Sequence, residues 1–262
     1  MSALAPLPPT AFWCRIPSRP NFGDALTPWL IRRLTGHYPR FAMHDHPAPK
    51  LFVTGSIAGL AGPGDTVWGC GIMQRDEPLA PGARWLAVRG PRTRQRALAC
   101  GADCPAVLGD PGLLLPRLYT PPAVQRRGIG LVPHFADRAR LDTAAVARHG
   151  LRLIDIQQDI ESVVDQVVAC EWLMSSSLHG LIVAHAYGIP ALWVRLWELP
   201  SGDGSKFADH YEALGQPSPA ALPLCLQDRV LPLAQLARQA WCPGRIEDDA
   251  LWRSCPLLDH ER

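Results

Sequence analysis

The chain has 262 residues, 47% of them hydrophobic, with nine tryptophans and a formal charge of +2. That is enough apolar material for one large or two modest α/β domains. With charge so near zero and basic residues so scattered, nucleic acid is not an expected partner. Of the 26 basic residues only Lys50 and Lys206 are lysine, a compositional bias toward arginine.

The opening stretch, MSALAPLPPTAFWCRIPSRP, is broken by prolines and lacks an apolar signal region. No secretory signal is therefore expected, and the eight cysteines read as reduced cytosolic thiols. No run approaches the roughly 18 to 20 apolar residues that span a bilayer, so a cytoplasmic protein, at most peripheral to a membrane, is expected. Strand candidates follow at 11–16, 50–55, 65–69 and 84–88, with helices at 24–34 and 91–100 between them. A proline-rich, loop-like stretch at 115–128 interrupts the alternation and divides the chain into an N-terminal domain over 1–122 and a C-terminal domain over 123–262. Strand and helix then alternate again: strands at 128–134, 151–156, 171–175 and 191–196, helices at 141–149, 159–170 and 178–187. The fold class is α/β, two Rossmann-like parallel-sheet domains facing across a cleft. After residue 227 the pattern is helical and arginine-rich, and it fits against either domain.

Open α/β sheets bind ligands outside the carboxyl ends of their strands, where helix N-termini present free N–H groups. The stretch SSSLHGL, residues 175–181, stands at such a seam between an apolar strand and an apolar helix. Ser175, Ser176 and Ser177 can cap the helix or bind an anion, and Gly180 admits a ligand or a neighbouring backbone. His179 falls in the first helical turn; alone it reads equally as a core histidine. His185, six residues on, points to another side and reads as structural. Arg89 ends a strand just before Gly90 and Pro91, aimed where an anion would sit. Asp110, before a Pro-Gly turn, and Asp24, at the start of an amphipathic helix, are candidates for acid–base work, with turn formation and N-capping as the plain alternatives. His44 and His46 flank Asp45 in a loop without further ligands at metal-site spacing, so no metal is expected.

The segments NFGD (21–24), VWGCGI (67–72), AVRGP (87–91), GDPGLL (109–114), VPHF (132–135), SSSLHGLIVAHAYGIPA (175–191) and KFADHY (206–211) together resemble the polysaccharide pyruvyl transferase family. The likeness is to the ketal pyruvyltransferases of bacterial exopolysaccharide synthesis, of the xanthan type. The resemblance implies a glycosyltransferase-B-like fold and transfer of pyruvate from phosphoenolpyruvate to two hydroxyls of one sugar, giving a 4,6-ketal and phosphate. It implies no cofactor beyond that donor substrate. The implied acceptor is a lipid-linked oligosaccharide at the cytoplasmic membrane face.

On that reading Arg89, Ser175, Ser176, Ser177, His179, Gly180 and Lys206 would hold phosphoenolpyruvate. Asn21, His134 and Arg195 are further contacts. His179 would assist the departing phosphate, and Asp24 or Asp110 would serve the acceptor hydroxyl. Much of the family has arginine where this chain has Ser177, so Lys206 or Arg195 is expected to compensate. A glycosyltransferase using a nucleotide sugar would share the alternation and is the rival reading; a non-catalytic scaffold is a third.

Overall fold

The computed structural model describes residues 7–15, 21–227 and 230–258. Ile16, at the end of the first expected strand, and most of the leading residues lie outside the described residues.

The first sheet holds β1 (Thr10–Phe12), β2 (Arg40–Phe41), β3 (Leu51–Phe52), β4 (Thr66–Trp68) and β5 (Arg84–Ala87). The second holds β6 (Ile129–Val132), β7 (Leu151–Leu153), β8 (Trp172–Ser175), β9 (Ala191–Arg195) and β10 (Leu222–Pro223). The helices in chain order are α1 (Phe22–Thr35), α2 (Pro91–Ala99), α3 (Leu115–Leu118), α4 (Phe135–Arg138), α5 (Thr143–Arg148), α6 (Ile160–Val168), α7 (Leu178–Ala186), α8 (Ser205–Ala213), α9 (Leu233–Ala237) and α10 (Asp249–Arg253).

Every pairing between these ten strands is parallel. Counted within its own sheet, each half has the strand order 2-1-3-4-5. That is the doubly wound order, in which the chain leaves its first strand toward one edge and returns to build toward the other. Each sheet therefore has one place where successive connections diverge: between β1 and β3 in the first, between β6 and β8 in the second. The crevice at such a point is where this architecture accepts ligands.

Local sequence accounts for the main elements. Asn21 caps α1, its Oδ1 accepting from Gly23 N–H at 3.0 Å and Asp24 N–H at 3.3 Å. Gly36 ends the helix in the left-handed region at φ 77°, its N–H returning to the Arg32 carbonyl. All of β8 and all of α7 up to His185 is buried, as expected of apolar segments in the middle of a fold. The short β2 and β10, two residues each, carry too little pattern to be read from sequence. Within the stretch read as loop, residues 115–118 form the single turn α3.

One apolar cluster runs through both halves, joining Leu26 and Leu113 to Ile182 and Val183. The C-terminal segment also bridges them. Trp241 pairs with Ala191 beside the second sheet. The chain then returns to the first, where the Trp68 indole donates to the Leu251 carbonyl at 3.2 Å and to Ser254 Oγ at 3.1 Å. No helix among the described residues is long and apolar enough to cross a membrane.

Candidate active site

A cleft of about 630 Å³ opens between the two divergence points, lined from both sheets. Cys14 follows β1, Asn21 and Asp24 open α1, and Gly55 and Ser56 follow β3. From the second sheet come His134 after β6, Ser177 and His179 after β8, and Lys206 in the first turn of α8. The carboxyl ends of parallel strands thus face each other, and the N-termini of α1 and α7 bring their amides to the same space.

His179 joins the halves. Its Nε2 lies 3.6 Å from Asp110 Oδ2, an electrostatic approach longer than a formed hydrogen bond. Each of those two atoms is buried without another partner, so Asp110 is the natural acceptor for an Nε2 proton. Asp110 is also a turn former, its Oδ1 accepting from Gly112 N–H at 2.8 Å, so the two readings of this residue are compatible. On its other side the imidazole lies against Gly23: a Cβ there would stand 2.1 Å from His179 Nδ1. Only glycine at that point of α1 lets the ring occupy its place.

Asp24 is not the N-cap; Asn21 is. The Asn21 amide donates to Asp24 Oδ2 at 2.6 Å. Burial pushes the Asp24 carboxyl up to about 6, against the opposing pull of His179, the Asn21 hydrogen bond and Lys206. A carboxyl poised there exchanges protons near neutral pH. Lys206 is buried, its Nζ 2.8 Å from Ser201 Oγ, and burial together with Arg89 brings it down to about 8 despite the favourable charge of Asp24. His134 caps α4 through Nδ1, which accepts from Ala136 N–H at 3.2 Å. Its proton then resides on Nε2, a donor. Burial, with the charges of Lys206 and His179, holds this imidazole down at about 4.

The three serines divide their work. Ser175 Oγ accepts from Ser177 N–H at 3.0 Å and lies 2.9 Å from the Val132 carbonyl, joining β8 to β6. Ser176 Oγ donates to Asp137 at 2.6 Å and accepts from His134 N–H at 2.9 Å, setting the loop that carries His134. Ser177 alone lines the cleft; it is the N-cap of α7, yet its side chain makes no capping bond. Gly180 is small for an internal reason, since a Cβ there would stand 2.3 Å from Ser175 Oγ and 2.8 Å from the Val132 side chain.

Arg89 does not line the cleft. It meets an anion, but that anion is the chain's own Asp209. Arg89 is fully buried, with Nε donating to Asp209 Oδ2 at 3.2 Å, Nη1 to Ser56 Oγ at 2.8 Å and Nη2 to the Ile72 carbonyl at 2.6 Å. The strand-end geometry was legible; the filling of the site from α8, 120 residues away, was not. Arg195 is exposed at the end of β9 and does not line the cleft either. Of the two residues considered to offset Ser177, Lys206 lines the same cleft and Arg195 does not. His185 faces away from the cleft, its Nδ1 2.9 Å from His210 Nε2 in a buried stacked pair. Asp209, Gly23, Ser56 and Asp137 were not singled out from sequence. Only Asp209 left a signal there, three residues after Lys206 and hence on the same helical face.

Among the described residues no group of three His, Cys, Asp or Glu side chains is placed to hold a metal ion. No solved structure matches the chain. It is 31% identical over 176 residues to an uncharacterized protein of Acanthamoeba polyphaga mimivirus, an alignment covering 64% of this chain and 61% of that protein. The chain thus spans about three-fifths of that relative's length. The sequence model of the polysaccharide pyruvyl transferases matches residues 66–197, a span that includes Asp110, His134 and His179 but stops short of Asp24 and Lys206. With half of its length matched, the chain belongs to the polysaccharide pyruvyl transferase family.

Proposed function

We propose that the chain transfers pyruvate from phosphoenolpyruvate to two hydroxyls of one sugar, closing a 4,6-linked ketal and releasing phosphate. The acceptor is a lipid-linked oligosaccharide met at the cytoplasmic membrane face. The observation that supports this reading is the single cleft in which Asp24, poised near neutrality, stands with His179, His134 and Lys206.

The chemistry sets the requirements. The two acceptor hydroxyls lose two protons; one must reach the methylene carbon of the donor, making a methyl, and the other leaves with the phosphate. One group must therefore both take and give a proton beside a site for two anions. Lys206, the His134 Nε2–H, the Ser177 hydroxyl and the amides of α7 supply donors for the phosphate and carboxylate. His179, backed by Asp110, gives its Nδ1 proton to the departing phosphate. Asp24 takes the proton of the first attacking hydroxyl and passes it to the methylene carbon, and the proton of the second hydroxyl restores His179. Arg89 contributes from behind, by holding Ser56 at the cleft wall.

The test is calorimetric titration with phosphoenolpyruvate beside a panel of nucleotide sugars, repeated with Lys206→Met and His179→Ala. Saturable phosphoenolpyruvate binding, weakened by Lys206→Met, is the expected result. Binding of a nucleotide sugar with none of phosphoenolpyruvate would overturn the reading in favour of glycosyl transfer.

A further inference from the structure

The first turn of α2 is an anion site with its anion built in. Gly90 is the N-cap and offers no side chain, so the free amides of the turn need another acceptor. Asp209 Oδ1, from α8, accepts from Arg92 N–H at 2.9 Å and Thr93 N–H at 3.0 Å. Its Oδ2 accepts from Thr93 Oγ1 at 2.6 Å and from Arg89 Nε at 3.2 Å. Both charged groups of this pair are wholly buried. The approach is close enough to forbid a side chain at residue 90, where a Cβ would stand 2.0 Å from the Asp209 carbonyl oxygen. A second, shallower tie runs alongside, from Arg92 Nη2 to Glu212 Oε1 at 2.6 Å.

The helix that follows β9 of the second sheet is therefore fastened to α2 of the first half through one buried carboxylate, with Glu212 as the shallower tie. Three residues before it on the same face stands Lys206, the cleft lysine, and one residue after it His210 bonds back to His185 of α7. We propose that Asp209 is a positioning residue, which by occupying the α2 anion site fixes the first turn of α8 and so the entry of Lys206 into the cleft. The part of this inference that concerns donor binding rests on the function proposed above. The part that concerns the placing of Lys206 does not.

The test uses the scarcity of lysine. In protein labelled with carbon-13 at the lysine ε position, the chain's two lysines give two side-chain resonances, and Lys50, paired with Asp65 at 2.9 Å, is the internal control. Lys206 in the intact chain titrates near 8, under burial and the charges of Arg89 and Asp24. Asp209→Asn keeps an acceptor for the α2 amides but turns a donor toward Arg89. Gly90→Ala leaves both charges in place and displaces α8 sterically. In each variant the Lys206 midpoint moves up toward its ordinary 10.5 as the side chain escapes to solvent. Phosphoenolpyruvate affinity falls by about tenfold or more, the cost of misaligning one charge-assisted contact.

If either variant fails to fold, Thr93→Val, which deletes the 2.6 Å donor to Asp209, carries the test with a smaller movement in the same direction. Folded variants with an unmoved Lys206 midpoint would overturn the positioning role, as would an intact chain in which Lys206 titrates as an ordinary lysine. An intact chain that ignores phosphoenolpyruvate, yet shows the midpoint moving in the variants, would refute the proposed donor and leave the positioning role standing.

Discussion

Replacing Gly23 by alanine tests the site at the contact where its two halves meet. The new methyl would stand 2.1 Å from His179 Nδ1 and 2.2 Å from its Cε1, where ordinary contact begins at 3.4 Å. The imidazole must retreat by more than about 1 Å or leave its rotamer, and either movement draws Nε2 from Asp110; a misplacement of that size costs on the order of 10²-fold in rate. Removing the ring altogether, with His179→Ala, forfeits the roughly 10²- to 10⁴-fold given by a positioned acid or base. The fold should survive, because alanine is a better helix former than glycine and the Asn21 cap is untouched. The assay is phosphate release from phosphoenolpyruvate in the presence of a hexoside with free 4- and 6-hydroxyls, with thermal melting as the control. Combined with His179→Ala, the substitution should add almost nothing, since both act through one ring. Near-normal turnover of Gly23→Ala, or full additivity in the double variant, would refute the argument.

Three further outcomes follow from the buried charges. The native pKa of Asp24, about 6, lies above its ordinary 3.8, so the native state binds the extra proton and stability falls as pH rises between those values; Asp24→Asn removes that penalty. The variant should melt higher at pH 7, by about 2 to 3 kcal/mol at most, while losing turnover and the rise of rate through pH 6. His185 is held by burial at about 3 and His210 well below its usual value, so the unfolded chain takes up these protons first and stability is lost as pH falls below about 6.5. Denaturant melts of His185→Phe/His210→Phe should show a flatter acid limb than the parent. Lys50→Ala strands the buried Asp65 carboxylate and should cost about 3 to 5 kcal/mol in urea unfolding, whereas Lys50→Met/Asp65→Leu recovers most of it.

Much of the architecture was legible because it repeats local rules. The periodic segments around α1, α6 and α7 each depend on residues close in sequence. The strand ends that line the cleft were legible too, since a parallel strand followed by a helix start defines where this architecture leaves a crevice. Less legible was which seam opens on the cleft. Arg89 and Ser177 stand at equivalent places, yet one is sealed behind Asp209 and the other opens on the cleft. Arg195, at a strand end like Arg89, stays in solvent.

By itself, then, the sequence determined the alternation of strand and helix and the residue types available at each strand end, all set by backbone preferences and hydrophobic period over a few neighbours. Only the tertiary structure decided the pairings: His179 with Asp110 and Gly23, Arg89 with Asp209, Lys206 with the cleft. The physical reason is that burial creates these roles. A carboxylate or guanidinium withdrawn from water must find its partner in space, and the partners it found lie 120 residues away for Arg89 and across two sheets for His179.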